Sequence, residues 1–436
     1  MSQDMFIVSA GLKKKIFITI GVGLLLFVAG VLIGDTGSHH GHEAVDAAHE
    51  VVVEASHDAA HADEGHGHAD AHAGGSFATR VWANLWANNV YFTGIALIAV
   101  FWIAVNYVAE AGWFTVIKRV PEAMGMYLPI GGVLMLLFFI FGGHDIFHWT
   151  HEGIMDPESE HYDSIIAGKE GYLNNVFFIA RMVIYFVLWF GFYLLFRKFS
   201  HNEDVEGGTK WHYKSFKFAA GFLVIFAVTS STAPWDWVLS IDTHWFSTMF
   251  GWYVFASWFI SGLAFITLST ILLKQAGYLK EVNSSHFHDL GKFVFGFSIF
   301  WTYLWFAQFM LYWYANIPEE VTYFMVRINE YKIVFIGMLA MNFLGPVLFL
   351  MSRDSKRSAG MLTFASLFII VGHYLDMYVM IMPGSVGTHW HLGFIEIGSF
   401  LGFLGLFIYV VLNSLTKRPL VQENHPMLLE SKHHHI

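Results

Sequence analysis

The chain has 436 residues, of which 56% are hydrophobic and only 13% charged, with 44 Phe, 16 Trp and 18 Tyr. A water-soluble domain carries about 25% charged residues, so this composition excludes a soluble globular protein and fits a polytopic membrane protein. Cysteine is absent, which excludes disulfides, thiolate zinc sites, cysteine-ligated iron–sulfur clusters and covalently attached c-type haem; the net charge of −10 comes without a basic patch dense enough for nucleic acid.

Ten apolar stretches have the length needed to cross a hydrocarbon core of roughly 30 Å. They run over Ile16 to Gly34, Leu85 to Ala109, Gly125 to Gly143, Tyr172 to Phe196, Phe216 to Thr232, Ser247 to Leu273, Gly291 to Tyr314, Tyr331 to Met351, Gly360 to Met382 and Gly393 to Leu412. The expected fold class is therefore an all-α polytopic membrane protein. Lys13, Lys14 and Lys15 put the N-terminus on the cytoplasmic side, because short cytoplasmic loops collect Lys and Arg. Ten crossings then bring 19 of the 24 basic residues to that side, an agreement that an odd number of crossings would destroy, so both termini are read as cytoplasmic. The exceptions are Arg80, Lys169, Arg181, Arg327 and Lys332. The first stretch is too long for a signal-peptide core and lacks a small-x-small cleavage pattern at Leu32-Ile33-Gly34-Asp35, so it is read as a retained helix.

Between the first two stretches, Asp35 to His72 holds nine His and nine Asp or Glu with no Lys or Arg. So few branched and aromatic side chains bury too little to offset ordering entropy, and flexible structure with transient helix in the Ala-rich parts is expected. His39, His40, His42, His66, His68 and His72 are candidate zinc or copper ligands, against a solvated acidic loop as the plainer reading.

Ionisable groups inside spans are costly and are candidates for function by default. At the end of the third stretch His144, His148 and His151 share one face if the helix continues, with Asp145 between them; the spacing suits a proton relay, a quinone hydrogen-bond donor or a metal ligand. Pro234 to Phe246 reads as a short interfacial helix begun by proline and anchored by tryptophans, carrying Asp236, Asp242 and His244. His373 and Asp376, three apart in the ninth stretch, can share a proton and hold a defined tautomer. Glu396 at the start of the tenth stretch, with His389 and His391 before it, completes the acid–base set, and Arg181 in the fourth reads as a buried counter-ion for a carboxylate. Haem b needs histidine pairs facing across a bundle; only His144, His148 and His373 qualify loosely, and haem is not expected.

The segment Pro-Trp-Asp-Trp-Val-Leu-Ser-Ile-Asp-x-His-Trp-Phe-Ser-Thr from Pro234 to Thr248, set within ten spans, resembles the F subunit of bacterial alternative complex III. That subunit belongs to the wider NrfD-like, or polysulfide-reductase-like, membrane family, and the likeness covers helices two to ten. It implies two four-helix bundles with peripheral helices: a cytoplasmic N-terminus 1–15, a first helix 16–34, a His-rich periplasmic loop 35–80, a first bundle 81–233, an interfacial segment and second bundle 234–382, a last helix 383–413 and a cytoplasmic tail 414–436. It also implies a role in a quinol:cytochrome c or quinol:oxidase assembly of the bacterial inner membrane. There quinone or quinol is the non-covalent ligand, and haem c and iron–sulfur clusters sit in partner subunits. The partners so implied are the homologous C membrane subunit of such complexes, c-type cytochrome subunits, an iron–sulfur subunit, a terminal oxidase and lipid. The competing reading is a secondary transporter whose His-rich loop collects metal; such proteins often show paired broken helices, and Pro346, the clearest proline break within a span here, has no matching half.

Overall fold

The computed structural model describes residues 5–54 and 76–435, with the backbone alone for 35–54. Among them ten helices are long and apolar enough to cross a membrane: α1 Ala10–Gly34, α2 Phe77–Val108, α3 Arg119–Ile146, α4 Asn175–Glu206, α5 Lys210–Ile241, α6 Phe250–Gln275, α7 Ser284–Ala315, α8 Lys332–Leu350, α9 Ala359–Val386 and α10 Phe394–Leu415. The protein is an all-α, multi-pass membrane protein. Successive spans run up and down, so both termini share one face, where Met5 bridges to Pro419. The basic loops mark that face as the inner one.

Helices α2 to α5 close one four-helix ring and α6 to α9 close a second, while α1 pairs lengthwise with α10 outside them. The rings meet where α2 lies against α6 and α9. Burial follows from this plan: 72% to 89% of the apolar stretch is buried in α2, α6 and α9, against 17% to 44% in the other seven spans. A polar side chain on those three central helices has no lipid or water to turn to, so it must find a partner inside the protein.

Helix ends correct the hydropathy boundaries, because capping extends each helix into its polar flanks. Ser76, Asn174, Asn283 and Ser358 accept the first free amides of α2, α4, α7 and α9. The backbone of α1 continues past Gly34 to Glu54, so residues 35–54 are helical where flexible chain with transient helix is expected; Ala44, Ala47 and Ala48 are strong helix formers and no proline interrupts them. His39, His40 and His42 fall in this backbone-only stretch and His66, His68 and His72 lie outside the described residues, so the side chains of the metal candidates there are not described.

Two further corrections concern the outer loops. Pro234 does not begin an interfacial helix but lies in the last regular turn of α5, where Val238 N–H still reaches its carbonyl at 3.0 Å, and a 3₁₀ turn Leu239–Ile241 follows. A proline near a helix end removes a single ladder bond, which the last turn tolerates. The amphipathic interfacial element is instead the helix Pro318–Asn329, with proline in its first turn, Glu319 and Glu320 beside it, and Tyr323, Phe324 and Arg327 buried.

Candidate functional site

His373 and Asp376 lie one turn apart on α9, and both are fully buried. Tyr253 and Ser257, four apart on α6, present the same face to them. Asp376 accepts hydrogen bonds from the Tyr253 hydroxyl and, at 2.9 Å, from Trp301 Nε1 of α7. His373 Nδ1 is 3.1 Å from Ser257 Oγ and 3.5 Å from Asp376 Oδ2, and the Trp301 ring stands edge-on to the imidazole at 5.2 Å. His373 Nε2, though buried, has no hydrogen-bond partner among the described residues. One residue away, a π-helical turn Ala340–Leu344 in α8 turns Asn342 toward α9; a Cβ on Gly372 would come within 2.2 Å of Asn342 Oδ1, so only glycine admits this approach. Among the described residues the Asn342 amide is itself without a hydrogen-bond partner. A π-bulge beside orphaned polar atoms is a common mark of a functional helix.

Toward the outer face, three arginines grip three carboxylates. Arg181 holds Asp236 in a fork at 2.8 and 2.9 Å, with Tyr185 adding a third bond at 3.1 Å. Arg80 holds Glu396 at 2.9 and 2.8 Å, and Asn84 and the Gly393 amide complete its shell. Arg327 reaches Asp242 at 2.8 Å while donating to the carbonyls of Val379, Met380 and Tyr323. The Tyr323 ring is stacked on Trp245 at 3.8 Å, and burial pushes its hydroxyl well above the usual phenol range. Four of the five residues that break the basic-inside pattern are accounted for: these three arginines, and Lys169, which donates to the Thr243 carbonyl.

The remaining sequence candidates are more superficial. The α3 helix stops at Ile146 and Phe147 is extended, so His144, His148 and His151 do not share a helical face. Their rings converge all the same, His151 lying 4.4 Å from His144 and 4.9 Å from His148, with both His144 and His148 exposed. Asp145 beside them is half-buried. His244 pairs with Asp163 at 2.5 Å in the outer loops, and His389 and His391 are exposed before α10. Of the acid–base set, only His373 with Asp376 and Arg181 with Asp236 come together as pairs. His373 belongs to the second bundle and His144 and His148 to the end of α3 in the first.

A second buried cluster, on the inner face, goes unnoticed when Lys118 and Arg119 are counted merely as loop charges. Both are almost fully buried. Lys118 bonds the Tyr107 hydroxyl and Gln422 Oε1 and lies 3.5 Å from Glu203 Oε2. Burial works against its charge, but Tyr107, Glu203 and Glu122 outweigh it and hold the ammonium above its usual value. Arg119 bonds Glu122, Ser200 and Asp204. His212 and His425 close the group, with burial first and Lys118 second pushing His425 down to about 2. The available signal was the pairing of Lys118-Arg119 with Glu122 and of Glu203 with Asp204, opposite charges crowded at helix ends.

Comparison with known proteins finds no matching family model and no matching curated protein.

Proposed function

We propose that the protein is an integral membrane subunit of a respiratory quinol-oxidising electron-transfer complex in a bacterial inner membrane, of the alternative complex III type. In this reading it supports the assembly and handles protons through His373 and Asp376. The observation that carries the proton role is the buried His–Asp pair, set in an apolar helix core with one imidazole nitrogen unpartnered among the described residues. Tyr253 and Trp301 donate hydrogen bonds to Asp376 and fix its orientation. His373 Nε2 is the atom free to take or give a proton, while Ser257 and Asp376 fix the other side of the ring. Asp376 lies ten residues from the outer end of α9, about 15 Å of helix. A proton moved across 100 mV is worth about 2.3 kcal/mol, so a relay placed at this depth couples to the membrane potential.

With no cysteine in the chain, haem c and iron–sulfur centres belong to partner subunits: c-type cytochromes and an iron–sulfur protein, accompanied by a homologous membrane subunit, with a terminal oxidase beyond them. The first test isolates the protein from native membranes in mild detergent and records a reduced-minus-oxidised spectrum. A c-type haem signal with co-purifying partners is expected; a solitary, spectrally silent protein would overturn the complex and favour a transporter. The second test places Asp376→Asn in proteoliposomes. Assembly should persist while protons moved per electron fall several-fold, and an unchanged ratio would remove Asp376 from the path.

A further inference from the structure

We propose that Glu203, His212 and His425 form a site for a divalent transition-metal ion of the zinc class, distinct from the His373–Asp376 centre and independent of the function proposed above. Glu203 comes from the end of α4 and His212 from the start of α5, brought together by the turn through Gly207 and Gly208, both at positive φ. His425 comes from the C-terminal tail. One donor atom from each lies within 4.8 Å of the other two, and all three side chains are buried.

The donors are unspent. Glu203 Oε1 and both nitrogens of His212 are buried without a hydrogen-bond partner among the described residues, and buried polar atoms left unpaired are costly. His212 Nδ1 lies 3.9 Å from Glu203 Oε1, and His425 Nε2 lies 4.0 Å from Glu203 Oε2. Ligand atoms on a tetrahedral zinc with bonds of about 2.0–2.1 Å sit about 3.3 Å apart, so these two pairs would close by about 0.6–0.7 Å and no pair in the group by more than about 1.5 Å. Two imidazoles and one carboxylate match zinc, with a fourth position left for water; calcium and magnesium prefer all-oxygen shells.

The outer contacts fit as well. Gln422 Nε2 donates to Glu203 Oε2 at 2.5 Å, which leaves Oε1 to face the metal. His425 Nδ1 accepts the Met427 amide at 3.2 Å and lies 3.4 Å from Thr115 Oγ1, so metal on Nε2 requires the Met427 amide to turn away and Nδ1 to take the proton, with Thr115 then placed to accept it. Lys118 stands on the Oε2 side and competes with the ion for Glu203, which weakens the site relative to one free of cations. A small cavity lined by Tyr107, Thr115, Lys118, His212 and His425 lies beside the donors. Bound metal would pin the tail to the α4–α5 turn.

The test uses Zn²⁺ on the full-length, chelator-stripped protein in detergent. His39, His40, His42, His49, His57, His61, His66, His68 and His72 are changed to Ala in every sample, because that segment offers its own donors. This background should retain one equivalent of Zn²⁺ after desalting, and His212→Gln added to it should retain none. His425→Asn, in the tail and outside every span, provides a second variant whose folding does not depend on a membrane helix, and it too should lose the equivalent. Retention of the equivalent in both variants, or no retained Zn²⁺ in the background protein, would overturn the proposal.

Discussion

Each buried charge on the outer side answers another, and the geometry decides how much the pair matters. The Arg80 guanidinium forks onto Glu396 with both side chains nearly inaccessible to water. A buried pair adds little over an apolar replacement, whereas removing one partner strands the other, at about 3–5 kcal/mol. Arg80→Met should therefore lower stability by about that amount, because Asn84 and the Gly393 amide cannot neutralise the Glu396 charge. Arg80→Met combined with Glu396→Gln should recover most of the loss. Unfolding in detergent, followed by tryptophan fluorescence, checks both; a single variant close to wild type would mean that water reaches the carboxylate. Arg80, Arg181 and Arg327 stand out in the sequence only as breaks in the basic-inside pattern. Their carboxylate partners are 316, 55 and 85 residues away, a distance that side-chain periodicity does not bridge.

At the level of elements, ten spans are legible because length and apolarity are properties of contiguous residues. The ends are less so, since caps and turns depend on single polar atoms, and Pro234 shows how a residue that usually starts a helix is accommodated in a last turn. Packing between spans depends on a few small residues. A Cβ on Gly23 of α1 would lie 2.5 Å from the Gly402 backbone nitrogen of α10 and 2.9 Å from the Gly398 carbonyl, while a Cβ on Gly402 would meet nothing. Gly23→Ala should push the helices apart at a cost of about 1–3 kcal/mol, and Gly402→Ala should be nearly neutral; thermal unfolding of the two variants side by side tests the asymmetry. The outer loops carry a pH-dependent element. Asp163 caps the turn Ser164–Ala167 through the Ile165 and Ile166 amides and meets His244. Burial alone would raise its carboxyl, but those amides and His244 outweigh it and lower the pKa from 3.8. A depressed carboxylate adds stability that is present above the unfolded value and lost as pH falls through the folded one. Amide exchange at Ile165 and Ile166 should thus accelerate below pH of about 4, and Asp163→Ala should exchange fast at every pH.

Across the whole molecule, the two bundles are joined twice, and only one of the joints follows from the spans. In the membrane, α2 packs on α6 and α9. On the inner face the tail after α10 crosses from one bundle to the other: Gln422 bonds Glu203 and Lys118, Ser431 bonds the Trp113 carbonyl and the Val116 amide, and His434 meets Asp289 and Asn283. Read as sequence, these residues are a short polar end with no period, which is why the tail's share of the inner cluster was illegible while His373 and Asp376, three apart in an apolar run, were visible at once. Gln422 is the critical contact, because it gives a hydrogen bond to Glu203 and takes one from Lys118, both charged and buried. Gln422→Leu leaves each short of a partner, a loss of about 1.5–3 kcal/mol per charged hydrogen bond. Removing residues 419–436 should cost at least as much and also free the contacts to Asp289 and Asn283 in the second bundle. Limited proteolysis locates the effect: cleavage should rise at Lys118 and Lys280 on the inner face, while the outer loop at Lys169, held by the Thr243 carbonyl, should be cut at the wild-type rate. Equal acceleration on both faces would mean that the tail stabilises the fold as a whole rather than the joint between its halves.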